Sequence, residues 1–93
     1  MIERKIKIIN KLGLHARAAA KLVKLASSFE SKIEISRQDP DQSKTVNGKS
    51  IMGVMMLAAS KETEIILLAE GPDEETALTE IEALIADRFG EGE

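Results

Sequence analysis

A lone histidine, His15, stands just after a glycine and just before a run of residues that favours a helix. Apolar residues recur at offsets of three, four and seven after Ala16, which predicts an amphipathic helix over residues 16–28. His15 would then lie at the helix N-terminus, where unpaired backbone N–H groups and the summed peptide dipoles attract anions. The same field disfavours imidazolium, so we expect a neutral, nucleophilic ring where a phosphate is stabilised. A transient phosphohistidine requires this combination.

Arg17, two residues after His15, carries a guanidinium that could bind two oxygens of one phosphate. The residues alone leave other roles for His15 open. A histidine near a helix start is more often a cap or a partly buried polar residue than a nucleophile, and helix N-termini also hold anions without forming a bond. A non-covalent anion-binding regulatory domain is therefore an alternative to a phosphoryl acceptor. A stand-alone enzyme is the least favoured class, because no further catalytic group accompanies these two residues.

Length and composition bound the remaining chemistry. Ninety-three residues predict one domain, over residues 1–93. The chain contains no cysteine and one histidine, which excludes disulfides, thiolate metal sites and histidine-rich metal sites. Neither a signal peptide nor a membrane-spanning run is evident, so we expect a cytoplasmic protein without membrane insertion.

The charge distribution is uneven although the net charge is only −3. The chain has neither tryptophan nor tyrosine, and with a negative net charge this argues against a nucleic-acid partner. Basic residues crowd the first quarter of the chain, whereas acidic residues dominate after position 62. This asymmetry could steer an acidic protein partner toward the His15 end, and a solvated basic face without a partner is an equal alternative.

Alternation, helical spacing and turn residues predict the order β-α-β-β-α-β-α. The predicted strands cover residues 2–9, 31–36, 43–46 and 63–69, and the predicted helices cover residues 16–28, 51–59 and 73–89. Turn chemistry around Pro40 predicts a hairpin between the second and third strands. The apolar run 65–68 predicts a central fourth strand. We therefore expect an α+β fold, a two-layer open-faced β-sandwich with three helices on one face of a mainly antiparallel four-stranded sheet.

The second predicted helix is apolar all the way round. One side carries Val54, Leu57 and Ala58. The other side carries Ile51, Met52 and Met55. Only one side can face so small a core, so a methionine-rich outer side suggests a docking patch that adapts to partner surfaces. The alternative is that these methionines fill an irregular core.

Two stretches, residues 13–17 and 46–55, resemble the HPr family, the histidine-containing phosphocarriers of the bacterial phosphoenolpyruvate-dependent phosphotransferase system. The likeness covers nearly the whole chain and includes the element order. It implies the sheet order 1-4-2-3. It also implies that His15 takes a phosphoryl group on Nδ1 from phosphorylated Enzyme I and passes it to a IIA domain, with Arg17 contacting the group. Enzyme I would use phosphoenolpyruvate and Mg²⁺, and the chain itself would bind no cofactor and catalyse no turnover alone.

The resemblance also assigns roles around the second helix. Ser50, which the residues alone indicate as a helix N-cap, matches the position that HPr kinase/phosphorylase phosphorylates in many members. A phosphate there would add about −1.5 to −2 charge and could act as a switch against Enzyme I. The implied partner interface consists of Ala16, Ala20, Ile51, Met52 and Met55. We expect a monomer, serving sugar uptake or, as an alternative, a regulatory or nitrogen branch of the same system.

Two positions depart from the commonest family pattern. Ala18 stands where many members carry proline, and alanine should preserve the helix while making its entry less rigid. Glu62 replaces a glycine that often follows the sequence Ala-Ala-Ser-Lys. The turn into the fourth strand should therefore have no need of a positive φ at this residue, unless it is strained.

Overall fold

The computed structural model describes residues 1–38 and 43–91. Its elements follow the predicted order. The strands are β1 Ile2–Lys7, β2 Lys32–Gln38, β3 Ser43–Asn47 and β4 Glu64–Glu70, and the helices are α1 Ala16–Ser27, α2 Ile51–Met56 and α3 Glu74–Ala86, followed by a short 3₁₀ segment, Arg88–Gly90. The turn predicted around Pro40 lies outside the described residues.

The four strands form one antiparallel sheet in the order β1-β4-β2-β3, as the family resemblance implied. β4 lies between β1 and β2, which confirms its predicted central position. Alternate residues of β4 are buried on the helix side, and Ile65 pairs there with Ile6 while Leu67 pairs with Ile35. The opposite face lacks a covering layer in the part of the chain that the structure describes, so the fold is the predicted open-faced sandwich.

Helix α1 covers the sheet with a narrow stripe of small and aliphatic side chains. The buried residues of α1 are Ala18, Ala19, Leu22, Val23 and Ala26. Ala18 is fully buried in the first turn, and the helix begins at Ala16 as expected for an alanine at this position. The buried residues of α3 are Ala77, Leu78, Ile81 and Ile85. None of the helices in the described part of the chain is both long and apolar enough to traverse a lipid bilayer.

Helix α2 is shorter than predicted, and it ends at Met56 instead of continuing to residue 59. Ala58 has φ +53 and is exposed, so its predicted place on the buried side with Val54 and Leu57 was wrong. The cause is a cap on the C-terminal end of α2 that Arg37 of β2 supplies. The guanidinium of Arg37 donates to the carbonyl oxygens of Leu57 at 3.0 Å and Ala58 at 2.7 Å, which satisfies the end of the helix and turns the chain away.

The turn into β4 places Glu62 at φ +75, so this turn is the strained case that the sequence left open for a residue other than glycine. Two hydrogen bonds to one residue of the β1 end hold the conformation. The N–H of Glu62 donates to the carbonyl of Ile8 at 2.6 Å, and the N–H of Ile8 donates to the carbonyl of Thr63 at 2.9 Å. These hydrogen bonds extend the β1–β4 pairing, and they offset the cost of the strained conformation at Glu62.

The third helix was predicted to cover residues 73–89, but it ends at Ala86. Arg88, Phe89 and Gly90 all have positive φ, and they reverse the chain so that Phe89 is fully buried in the core. Nζ of Lys21 on α1 donates to the carbonyl oxygen of Phe89 at 2.6 Å. The reversal directs Glu91 back toward the N-terminus of α1.

Candidate functional site

His15 is the N-cap residue of α1, with φ −74° and ψ 178°. Its carbonyl oxygen accepts the first helical hydrogen bond from the N–H of Ala19 at 2.8 Å. Its side chain does not cap the helix, and the first turn contains no acidic residue. The backbone N–H groups of the first turn therefore have no capping side chain, an arrangement that together with the helix dipole favours an anion.

A tight turn places His15 at this end. The side-chain amide of the fully buried Asn10 donates to the carbonyl of Gly13 at 2.8 Å, and the N–H of Gly13 donates back to the carbonyl of Asn10 at 3.2 Å. Gly13 has φ +66, and a Cβ on it would lie 2.5 Å from the carbonyl oxygen of Ala59. Only glycine tolerates both the positive φ and the close approach to Ala59. The backbone of Gly13 therefore packs directly against the segment after α2.

The carboxylate of Glu91 contacts His15 directly. Its Oε1 accepts from Nδ2 of Asn10 at 2.9 Å, and its Oε2 forms a short hydrogen bond with Nε2 of His15. The side chains of His15 and Glu91 are 26% and 13% exposed, so the pair is largely shielded from solvent. The hydrogen bonds from Asn10 and then His15 lower the pKa of Glu91, against the opposing effect of burial. An ionised carboxylate therefore faces one nitrogen of the imidazole.

Sequence reasoning missed Glu91, which was predicted to lie in a short acidic tail after the third helix. It also assigned no role to Asn10 beyond the end of the first strand. A sequence signal existed in the apolar Phe89 followed by Gly90, because an apolar residue just before a glycine can be drawn back into the core while the glycine reverses the chain.

Arg17 follows His15 on the first turn and is exposed. Within residues 1–38 and 43–91 its guanidinium has no hydrogen-bond partner, so it is available to an anion. An open cleft of ≈ 640 Å³ lies over this end of α1. Its lining residues are Lys11, Leu12, His15, Ala16, Arg17, Lys21, Gly90 and Glu91. Three cationic side chains border the cleft against one carboxylate, which suits a phosphate more than a cation.

The same stretch of chain offers no metal centre. Across the described ranges 1–38 and 43–91, no group of three or more His, Cys, Asp or Glu side chains could hold a metal ion.

Ser50 is the N-cap of α2, as its position indicated. Its hydroxyl oxygen accepts from the N–H of Gly53 at 3.1 Å, and the residue is partly exposed. The preceding turn is held by Asn47, whose side-chain oxygen accepts from the N–H of Lys49 at 2.8 Å. Nζ of Lys49 donates to the carbonyl of Phe29 at 2.8 Å, which ties this turn to the end of α1.

Helices α1 and α2 are neighbours, and together they expose an apolar surface. The predicted interface residues Ala16, Ala20, Ile51, Met52 and Met55 are all exposed, and we name this set the α1–α2 patch. Met52 is 70% exposed, so the alternative in which the methionines fill the core is wrong for it. Leu12 and Met56 are two further exposed apolar side chains that the predicted interface did not include, although Met56 follows Met52 by one helical turn.

Comparison with known proteins gives one consistent picture. A family model described as "PTS HPr component phosphorylation site" matches residues 2–87. The phosphocarrier protein HPr of Cupriavidus necator is 54% identical over 93 residues, which are 100% of both chains. The phosphocarrier protein HPr of Neisseria meningitidis is 50% identical over 93 residues, again 100% of both chains.

Solved structures agree with these relatives. The crystal structure of HPr-C-His from Thermoanaerobacter tengcongensis aligns with a TM-score of 0.88 and 47% sequence identity, and the alignment covers 98% of each chain. The likeness therefore extends over both helices that carry the candidate site and over all four strands that support them.

Proposed function

The chain belongs to the HPr family, the phosphocarriers of the phosphotransferase system, and from this membership we propose the route of its phosphoryl group. His15 accepts the group on Nδ1 from phosphorylated Enzyme I and passes it to a IIA domain. The observation that carries the proposal is the position of His15 as an N-cap whose side chain leaves the first turn of α1 uncapped. The anion that arrives there meets backbone N–H groups instead of a competing side chain.

The transfer needs no cofactor on this chain. The Nδ1 lone pair of His15 attacks phosphorus, a new N–P bond forms, and the bond between phosphorus and the donor breaks, with its electron pair leaving on the donor. The phosphoryl oxygens gain charge as they approach the N-terminus of α1. Arg17, exposed and unpaired within the described ranges, lies on the same turn to bind them.

The α1–α2 patch supports a docking role for this face. An exposed phosphohistidine has to enter the active site of another protein, so an apolar surface on the helix that carries His15 and on its neighbour suits docking. Enzyme I and the IIA domain would use this patch in turn, because both must reach the same nitrogen. We place this exchange in the cytoplasm, where phosphoenolpyruvate would supply Enzyme I.

A regulatory phosphorylation at Ser50 is part of the proposal. HPr kinase/phosphorylase would use ATP to place about −1.5 to −2 charge on the N-cap of α2, directly before the exposed Ile51 and Met52. The partial exposure of Ser50 supports access to its hydroxyl. The added charge would lie beside apolar docking residues and would weaken association with an acidic partner.

The test of the carrier role is incubation with phosphoenolpyruvate, Mg²⁺ and Enzyme I. We expect an acid-labile phosphoprotein in the wild-type chain, none in His15→Ala, and a slower reaction in Arg17→Ala. A chain that binds inorganic phosphate but never becomes labelled would instead be the non-covalent anion-binding domain. Transfer onward to IIA proteins of the sugar and nitrogen branches, compared side by side, would then identify the pathway.

The test of the switch is separate. ATP with HPr kinase/phosphorylase should give acid-stable phosphate that is absent from Ser50→Ala and present in His15→Ala. Label on any other residue, or no label at all, would remove Ser50 from the proposal without affecting His15.

A further inference from the structure

The segment after α3 is fastened to the His15 end by three contacts from three different residues. Lys21 binds the carbonyl of Phe89, Asn10 binds Oε1 of Glu91, and Nε2 of His15 binds Oε2 of Glu91. The burial of Phe89 anchors the same segment from below. The segment 88–91 therefore packs against the imidazole and is part of the site.

The contact with Glu91 has a defined polarity. A neutral imidazole carries one N–H and one lone pair, whereas an ionised carboxylate only accepts hydrogen bonds. The lowered pKa of Glu91 agrees with an ionised carboxylate, because the hydrogen bond from Nδ2 of Asn10 favours the ionised form. Nε2 of His15 must then hold the proton, which leaves the lone pair on Nδ1.

Asn10 fixes which oxygen faces which donor. Its Nδ2 donates both to the carbonyl of Gly13 at 2.8 Å and to Oε1 of Glu91 at 2.9 Å, so this end of the amide cannot be its oxygen. Its own Oδ1 is buried and has no partner among the described residues. Native proteins seldom leave such an acceptor unpaired. The side-chain amide of Asn10 keeps this orientation because the carbonyl of Gly13 and Oε1 of Glu91 both accept from its NH₂ group.

We infer that Glu91 is a positioning residue that selects the Nε2–H tautomer of His15 and aims the Nδ1 lone pair at the incoming phosphoryl group. The inference rests on the proposed phosphocarrier function. During transfer the N–P bond forms at Nδ1 and the donor's bond to phosphorus breaks, while the proton on Nε2 stays in place. Onward transfer returns the electron pair of the N–P bond to Nδ1, so the ring regains the same tautomer without exchanging a proton.

The variant Glu91→Gln tests this assignment because it keeps the shape and changes the donors. Asn10 can only donate to the side chain at residue 91, so the Gln oxygen should face Asn10 and its NH₂ should face His15. Nε2 would then have to accept, and the proton would move to Nδ1, the atom that must be free to take phosphate. Glu91→Ala instead removes the contact and leaves the tautomer unconstrained.

If Glu91 selects the tautomer, Glu91→Gln should be phosphorylated more slowly than Glu91→Ala. If Glu91 has a purely structural role, the order of these two rates should be reversed. If Glu91 selects the tautomer, initial rates of phosphorylation by Enzyme I should fall in the order wild type, Glu91→Ala, Glu91→Gln, with Glu91→Gln at least about tenfold below wild type. If Glu91 only packs against the ring, the isosteric Gln should react faster than Ala. Asp87→Asn is the matched control, since this nearby exposed carboxylate makes no side-chain hydrogen bond within the described residues, and its rate should equal wild type.

The spectroscopic readout does not depend on Enzyme I. His15 is the only histidine, so ¹⁵N-histidine labelling gives one pair of ring nitrogens, whose shifts report which one is protonated. We expect the proton on Nε2 in wild type and on Nδ1 in Glu91→Gln, with thermal melts showing that both are folded. A proton that stays on Nε2 in Glu91→Gln, or a Gln variant faster than Ala, would overturn the role of Glu91. A folded wild-type chain that takes no phosphate would instead overturn the phosphocarrier function itself.

Discussion

The backbone N–H of Leu14 donates to the carbonyl oxygen of Ala59 across 2.8 Å. This hydrogen bond joins the turn that carries His15 to the segment that follows α2. The proposed acceptor and the proposed docking helix are therefore joined by a direct backbone contact, although forty-five positions separate the two bonded residues along the sequence. Glycine at position 13 makes the approach possible, because any side chain there would meet the same carbonyl.

Gly13→Ala should damage this unit. The new Cβ would lie 2.5 Å from the carbonyl oxygen of Ala59 at a φ of +66, so we expect a loss of about 1–3 kcal/mol in the free energy of unfolding. Urea titration measures the loss. Gly53→Ala is the matched control, because its Cβ would meet the side chains of Ser50 and Val46 at 3.4 Å, an ordinary contact distance, and alanine is the better helix former. Equal stability of the two variants would contradict the close approach.

Met52→Asp should separate docking from folding. Met52 is 70% exposed on the α1–α2 patch, so a charge there costs little on folding but opposes burial against Enzyme I. We expect a melting temperature close to wild type and a weaker complex, by about tenfold or more, in calorimetric titration with Enzyme I. Ala83→Asp adds the same charge on an exposed position of α3 and should leave binding unchanged. A similar loss of binding in both variants would point to net charge instead of the patch.

Ser50 variants should distinguish the helix cap from the added charge. Ser50→Ala removes the acceptor for the N–H of Gly53 and should lower stability by about 1 kcal/mol. Ser50→Asp keeps an acceptor at the cap and should stay near wild type in thermal melts. For Enzyme I binding we expect the reverse, with Ser50→Ala near wild type and Ser50→Asp weakened by its charge. Normal binding of Ser50→Asp would count against the proposed electrostatic switch.

Asp73 should make stability depend on pH. The hydroxyl of Ser31 and the N–H groups of Glu30 and Ser31 donate to its carboxylate, and these hydrogen bonds hold the pKa of Asp73 below its ordinary value of 3.8. A lowered folded-state pKa stabilises the fold above the unfolded-state pKa, and this contribution is lost as the pH falls through the folded-state value. Asp73→Asn should therefore melt below wild type at pH 7, with a gap that narrows below about pH 4.

Ser31→Ala supplies the comparison for that experiment, because the Ser31 hydroxyl makes the largest contribution to the lowered pKa. Ser31→Ala should also melt below wild type at pH 7, by less than Asp73→Asn does, and this difference in melting temperature should likewise narrow at low pH. A gap between wild type and Asp73→Asn that stays constant between pH 7 and pH 2 would show that the three hydrogen bonds do not favour the ionised carboxylate.

Glu62→Gly should stabilise the chain. Glu62 has φ +75, a conformation that costs a residue with a Cβ about 1–2 kcal/mol. Glycine avoids this cost but loses more backbone entropy on folding, by about 0.4–1 kcal/mol. We expect a net gain of about 0.5–1 kcal/mol in urea titration. Glu64→Gly, at the exposed first residue of β4, should lower stability because its backbone is already extended. A loss of stability in Glu62→Gly would mean that the turn is not strained.

Local patterns were sufficient to predict most of the fold. Alternation located the four strands, and the spacing of apolar residues after Ala16 located α1, because each signal arises from residues close together in the chain. The positions of His15 and Ser50 at helix starts and the exposure of Met52 were also predictable, since a helix start or a helix face determines each of them. The sheet order depended on resemblance, because pairing between distant strands has no local signal.

The missed features depend on contacts between distant residues. Arg37 ends α2 early by binding the carbonyls of Leu57 and Ala58, and no pattern within α2 reveals this cap. Glu91 reaches His15 only because the chain reverses through Phe89, whose positive φ is unusual for an aromatic residue. Tertiary packing overrides local preference at both places, and both lie beside the proposed site or its docking helix.

The pairing of β1 with β4 sets when the site can exist during protein synthesis. His15 leaves the ribosome before β4 does, but β4 is the only neighbour of β1 among the described strands, and the N–H of Leu14 binds the carbonyl of Ala59. The turn that carries His15 therefore lacks its hydrogen bond to Ala59 and the support of β4 until the chain has been made through β4, and the contact between the imidazole and Glu91 forms later still. Because these contacts are distant in sequence, a nascent chain should present an unstructured histidine that phosphoryl donors do not recognise.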